Sequence, residues 1–190
     1  CALPISVRNL RQVVDRLKDG GFRMVTSSEA PPNVPVKDDI GVPAAGPVTG
    51  LAYTLSQDDV KVELVENTAQ TAPIVSHHIH FFGAQKEMQA WYRQTFGAAE
   101  VPSANPAAFI SAGLPGLTMN FAPSATPVAG TQGRALDHIG FEVKGLEAFA
   151  KALEARGVTL AVPYRQVPAL GIAIAFFTDP WGTYIELTEG

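Results

Sequence analysis

The sequence predicts an α+β fold built of repeated βαβββ modules, two of them complete and forming a curved mixed sheet around a metal cleft. Three observations lead there. An apolar helical stripe occurs twice at a constant offset of 136 residues: Leu10, Val13, Val14, Leu17 and Gly21 correspond to Leu146, Phe149, Ala150, Leu153 and Gly157. A third stripe, Met88, Trp91, Tyr92 and Phe96 closed by Gly97, lies between them. Three of the four histidines crowd into residues 76–82, the fourth stands in 136–143, and a carboxylate, Glu186, sits in the last strand-like run.

Each element follows from its local pattern. The first helix runs from Leu10 to a glycine stop at Gly21, with i, i+3, i+4, i+7 apolar spacing. Its start, Val7-Arg8-Asn9-Leu10, matches Val143-Lys144-Gly145-Leu146 before the last helix. The closing strand Val62-Glu63-Leu64-Val65-Glu66-Asn67 matches Ile185-Glu186-Leu187-Thr188-Glu189-Gly190 at an offset of 123. The first copy therefore carries about 13 extra residues, assigned to the Pro-rich stretch Pro31 to Pro47. Residues 68–75 read as a linker. The second copy opens on a strand at 75–82 and closes on one at 117–121. A Pro-, Ser-, Thr- and Gly-rich segment, 122–133, leads to the third.

A sheet face needs a covering layer. Residues 76–190, with copies two and three, are thus expected to form a complete paired-module domain. Residues 1–67 are expected to be an incomplete module, the C-terminal part of an upstream domain, lacking most of its opening strand. Its helix should still cover a sheet, but its inner sheet face should stand exposed, with a partner upstream or on another chain.

Composition bounds the function. Of 190 residues, 46% are hydrophobic and 17% charged, which suits a globular chain with an ample core. A net charge of −4 without a Lys/Arg run argues against a nucleic-acid surface. No apolar stretch reaches the roughly 20 residues that span a bilayer. A single cysteine excludes an internal disulfide and a Cys-based zinc site, so a metal must be held by His and carboxylate. Two histidines and a carboxylate on separate strands suit Fe, Mn or Zn.

The opening hexapeptide Cys1-Ala2-Leu3-Pro4-Ile5-Ser6 has two readings. A Cys before a small residue fits the mature end of a lipoprotein. The reading adopted is that it translates a sequencing-adapter end, TGTGCTCTTCCGATCT, so that the native sequence starts near Val7. Localisation is then cytoplasmic by default, and the absence of a signal peptide carries little weight.

The third copy carries Asp137-His138-Ile139-Gly140-Phe141 and Asp179-Pro180-Trp181-Gly182-Thr183-Tyr184-Ile185-Glu186. Paired modules that open and close on these patterns resemble the vicinal oxygen chelate superfamily. It includes glyoxalase I, extradiol dioxygenases, epimerases, fosfomycin-resistance transferases and bleomycin-binding proteins. The resemblance covers 75–190 fully and 7–67 in part. It implies four metal positions, on the first and last strands of each paired module, which fall on His78, Gly116, His138 and Glu186. His78 is selected because His77-His78-Ile79 aligns with Asp137-His138-Ile139. Glycine cannot coordinate, so the implied ligands are His78, His138 and Glu186 around a divalent ion: Fe, Mn, Zn or Ni.

The departures matter. Glyoxalase I-like enzymes place a proton-moving carboxylate where Gly116 falls. Extradiol dioxygenases carry a Tyr three residues before Asp-Pro, where Phe176 stands, and a His further back, whereas 164–175 holds none.

The implied function is a divalent-metal enzyme that chelates adjacent oxygens of a small substrate, as a lyase, isomerase, transferase or dioxygenase. The alternative is a metal-free protein that sequesters drugs in the same cleft. His80 shares the strand face of His78 and is read as the catalytic group or a further ligand, with a solvent-facing role as its bland reading. Tyr164 and Arg165 are read as substrate-binding, against an ordinary surface arginine. His77 and the Trp91–Tyr92 pair are read as structural. Glu63 matches Glu186 in the repeat, but Ala2 stands where its histidine would be, so it is read as a partly exposed strand carboxylate. A homo-oligomer or a missing upstream module completes the expected partners.

Overall fold

The computed structural model describes residues 2–44, 48–103 and 105–190, grouped in two compact units, Cys1–Ser124 and Ala125–Gly190. Cys1 and the end of the Pro-rich insertion, 45–47, lie outside the described residues.

The first unit holds two copies of the repeat. Copy one comprises β1 (Ala2–Val7), α1 (Leu10–Asp19), α2 (Thr26–Glu29), β2 (Val36–Lys37), β3 (Ile40–Gly41), β4 (Leu51–Leu55) and β5 (Lys61–Glu66). After β6 (Ile74–Ser76), copy two comprises β7 (His78–Gly83), α3 (Gln85–Phe96), β8 (Ala99–Val101), β9 (Ile110–Leu114) and β10 (Leu117–Pro123). The sheets run β2-β3-β4-β5-β1-β6 and β7-β10-β9-β8. In the second unit, β11 (His138–Glu142), α4 (Leu146–Ala155), β12 (Leu160–Val167), β13 (Ile172–Thr178) and β14 (Tyr184–Glu189) form a sheet ordered β11-β14-β13-β12. In all three copies the opening strand pairs in parallel with the closing one, a pairing that a crossover helix makes possible. The repeated βαβββ expectation holds. Among the described residues no helix is long and apolar enough to cross a membrane.

Helix α1 starts where the Asn9 side chain accepts the Gln12 N–H, and it ends in a turn where the Phe22 N–H bonds the Leu17 carbonyl. Its stripe buries Leu10 and Val14 against Val7, Ala52 and Leu64. The insertion forms the β2–β3 hairpin, with Asp38 and Asp39 at φ 50° and 64°, and widens the first sheet. Arg11 and Lys18 of α1 tie it down through the Asp38 carbonyl and the Asp39 carboxylate.

Three expectations about the first copy change. Its opening strand is present: β1 spans six residues and pairs with β5 from Ala2↔Lys61 to Val7↔Glu66. The end of the linker is a strand, β6, antiparallel to β1. The inner sheet face is covered, because Leu51, Glu63 and Val65 are buried beside the second copy's strands within the same unit.

The two glutamates of the repeated closing motif also have a physical account. Glu66 accepts the Leu10 N–H at the start of α1, and Glu189 accepts the Gly145 and Leu146 N–H groups at the start of α4. Each closing strand thus caps the helix of its own module. These bonds hold the Glu189 carboxyl below its ordinary value. A depressed carboxyl stabilises the fold above the unfolded-state pKa, and that contribution disappears as pH falls through the folded one. Glu189→Ala should therefore melt lower than the parent at pH 7, with the gap closing below the ordinary carboxylate range. Thermal melts across pH check this, and a pH-independent gap would contradict it.

In the second unit Asp179 is buried and accepts the Trp181 and Thr183 N–H groups, which shapes the Asp179-Pro180-Trp181-Gly182 turn. Gly182 sits at φ +92°, and a Cβ there would lie 2.9 Å from the Gly130 Cα.

Candidate metal centre

Strand β7 alternates. His78, His80 and Phe82 face a cavity of about 830 Å³, while Phe81 packs into the core. The same alternation on β5 turns Glu63 and Val65 to the cavity and Leu64 to α1. On β10 it turns Thr118 and Asn120 inward and Met119 and Phe121 away.

Glu63, His78 and His80 meet there, each offering one ligand atom, all within 4.8 Å of one another. The Glu63 Oε2 lies 3.7 Å from the His78 Nε2 and 3.6 Å from the His80 Nε2, beyond hydrogen-bond reach. The His78 Nε2 and His80 Nδ1 are buried without a hydrogen-bond partner. Buried polar atoms are rarely left so, and each orphan is a cost unless something absent from the chain satisfies it.

The electrostatics fit a divalent cation. Burial first, then His80 and His77, brings His78 down to about 3. Burial first, then Lys61, brings His80 to about 4. Both rings are neutral at physiological pH and keep the lone pairs a metal requires. Burial pushes the Glu63 carboxyl up to about 7, against the Tyr53 hydroxyl and Lys61, which favour its ionised form. A dication removes the cost of a buried carboxylate.

His77 is not a bystander. Its Nδ1 lies 2.6 Å from the Nδ1 of His78, and it borders the cavity. If the His78 Nδ1–H donates in this bond, its Nε2 is the free acceptor, the tautomer that ligation needs.

The second unit holds the other expected ligands. The His138 Nε2 stands 3.2 Å from the Glu186 Oε2, and its Nδ1 stands 2.8 Å from the Asp137 Oδ1. A carboxylate on one ring nitrogen is a common way of orienting a ligating histidine, whose other nitrogen is left for the metal; here that other nitrogen faces the Glu186 carboxylate. Of the expected set, the structure brings His138 to Glu186 and places His78 with His80 and Glu63 in the first unit. Tyr164 and Arg165 lie on β12, an edge strand; the Tyr164 hydroxyl accepts from Gln166, and Arg165 is exposed.

Two positions differ from the reading of the sequence. Glu63 is 8% exposed and belongs to the cluster. Gly116 lies in the β9–β10 turn at φ +76°, and the residue in the register of Glu186 is Asn120: β7–β10 pairs His80↔Asn120 where β11–β14 pairs Gly140↔Glu186. Asn120 accepts from the Ser111 hydroxyl at 2.8 Å. The signal for Glu63 was the repeat itself, which aligns it with Glu186.

Residues 76–187 match the Glyoxalase/Bleomycin resistance protein/Dioxygenase superfamily. No curated protein matches the chain in sequence. Among solved structures, glyoxalase I from Zea mays is 15% identical, with a TM-score of 0.73 over 100% of this chain and 66% of that one. A mutant of the same enzyme is 14% identical, with a TM-score of 0.74 over 100% and 68%. A putative glyoxalase family protein from Bacillus anthracis is 20% identical, with a TM-score of 0.50 over 66% and 98%. The chain thus spans about two thirds of the length of the Zea mays enzyme, and the likeness is one of fold.

Proposed function

This chain belongs to the Glyoxalase/Bleomycin resistance protein/Dioxygenase superfamily, and we propose that it is a divalent-metal enzyme acting on a small molecule through two adjacent oxygens. The observation that supports this is the convergence of Glu63, His78 and His80, with the His78 Nε2 buried and unpartnered 3.7 Å from the Glu63 Oε2. Glu63 supplies the anionic ligand and the two histidines supply neutral ones. A bound ion would act as a Lewis acid, stabilising negative charge that develops on the substrate oxygens. The Tyr53 hydroxyl holds the Glu63 carboxylate. His77 orients His78, and Asn120, steadied by Ser111, presents a polar group beside them. The role expected of His80 as a catalytic group becomes ligation.

A second ligand group, His138 with Glu186, is supported by the Asp137–His138–Glu186 chain in the second unit. Tyr164 and Arg165 are its proposed substrate contacts.

Elemental analysis of the full chain, followed by chelation and reloading, tests the proposal. Reloading should restore about one ion per chain and stabilise the protein by about 2.7 kcal/mol at a free ion concentration 100 times Kd. A chain that takes up no ion and gains no stability, yet binds small organic molecules, would be the metal-free sequestering protein instead.

A further inference from the structure

We propose that Asn120 binds the substrate: its side-chain N–H2 group donates a hydrogen bond to an acceptor oxygen of the molecule in the first unit's cavity. This rests on reading that cavity as the substrate site, and it adds a residue that selects what enters.

The repeat supplies the first argument. At one register position the three copies pair Pro4↔Glu63, His80↔Asn120 and Gly140↔Glu186. The closing strand thus carries a carboxylate in copies one and three and a carboxamide in copy two. An ionised carboxylate only accepts hydrogen bonds, whereas a carboxamide also offers two N–H donors. Asn is also one methylene shorter than Glu, so its head group reaches less far from the strand. Copy two therefore sets a neutral donor on the strand beside His80, where its sister copies set an anion.

Hydrogen bonding supplies the second argument. Asn120 is 7% exposed and faces the cavity. Its Oδ1 accepts from the Ser111 hydroxyl across the β9–β10 pair at 2.8 Å. Ser111 is itself buried, and its carbonyl accepts from the Gln89 amide of α3 at 2.7 Å. A buried hydroxyl anchored by a helix thus holds the oxygen of the amide. Among the described residues the Nδ2 has no partner. A donor left unpaired in a buried place is costly, so such groups find an acceptor. The bound molecule supplies it. A ligand with a carbonyl or oxyanion at that point satisfies the donor; one with C–H or N–H leaves it orphaned and is rejected. The flipped amide, with Oδ1 toward the cavity, would make Asn120 an ion ligand instead, and the two arrangements predict different losses.

The probe is acetohydroxamate, a small molecule with two adjacent oxygens, titrated by calorimetry into the zinc-loaded full chain. Asn120→Leu, similar in size but without a donor, should weaken its binding at least about 10-fold, the scale of a hydrogen bond to a charged group. Zinc affinity, read by chelator competition, should fall less than about 10-fold, the smallest loss expected of a residue that holds or orients a ligand. Ser111 is a positioning residue, so Ser111→Ala should weaken the probe by less. Adding Ser111→Ala to Asn120→Leu should change probe affinity by no more than about 2-fold, because the hydroxyl acts only through the amide. That double variant leaves no orphaned hydroxyl and carries the test if the single one fails to fold. Asn120→Leu binding the probe as tightly as the parent overturns the proposal. So does a joint fall of zinc and probe affinity, which makes Asn120 an ion ligand. A chain that takes up no zinc loses the metal reading instead. The probe is then titrated into the unloaded protein, where a parent binding it no better than Asn120→Leu removes the donor role as well.

Discussion

Replacing Glu63 with alanine should weaken divalent-ion affinity by roughly 100-fold or more, since loss of a mere outer-shell partner already costs 10–100-fold. His78→Ala and His80→Ala should behave alike, because three protein ligands are about the minimum for a catalytic site. The Glu63→Ala protein should stay folded. Its carboxyl is raised chiefly by burial, so deleting it removes a desolvation cost along with a ligand. Competition against a chromophoric chelator gives the affinities. The control is Glu186→Ala, which discriminates the two ligand sets. Ion retained there but lost in Glu63→Ala places the centre on the first unit's cluster. The reverse result transfers it to His138 and Glu186 of the second unit and removes Glu63 from the account.

Much of the architecture was legible because helical stripes and glycine stops are local. The 136-residue offset between the Leu10 and Leu146 stripes maps onto α1 and α4, each packed on its own sheet. The Asp179 turn was legible too, since Asx chemistry acts within a few residues. What escaped depends on which face of a strand meets which neighbour. Glu63 alternates on β5 as any solvent-facing strand carboxylate would. Only the second copy's strands in the same unit make its side the inside. The fourth metal position was set at Gly116 for a related reason. Register between β7 and β10 comes from long-range pairing, and it puts Asn120, four residues on, opposite His80. Pro4 has no N–H to donate, and proline is rare in internal strands. Even so, β1 pairs on both sides, with the His77 N–H donating to the Pro4 carbonyl.

The second large effect belongs to the core behind the cluster. Phe121 is fully buried on β10, stacked on Phe81 at 5.2 Å and 12° and tilted against Tyr92 at 5.5 Å. Tyr92 comes from α3 and Phe81 from β7, so one ring holds helix and sheet together. Truncating it removes the transfer energy of a whole ring and leaves a void that three elements cannot close at once. Phe121→Ala should cost about 3–5 kcal/mol, a large share of the roughly 5–15 kcal/mol that holds a typical domain together. Phe121→Leu, which refills much of the space, should cost less. The strand neighbours of Phe121, Asn120 and Ala122, border the cavity, and β10 pairs with the strand that carries His78 and His80. A slackened core should therefore also weaken ion binding in the folded variant, although Phe121 faces away from the cavity. Urea unfolding of both variants measures the first effect and chelator competition the second. A loss below about 1 kcal/mol in Phe121→Ala would mean that the copy-two core does not pack as described.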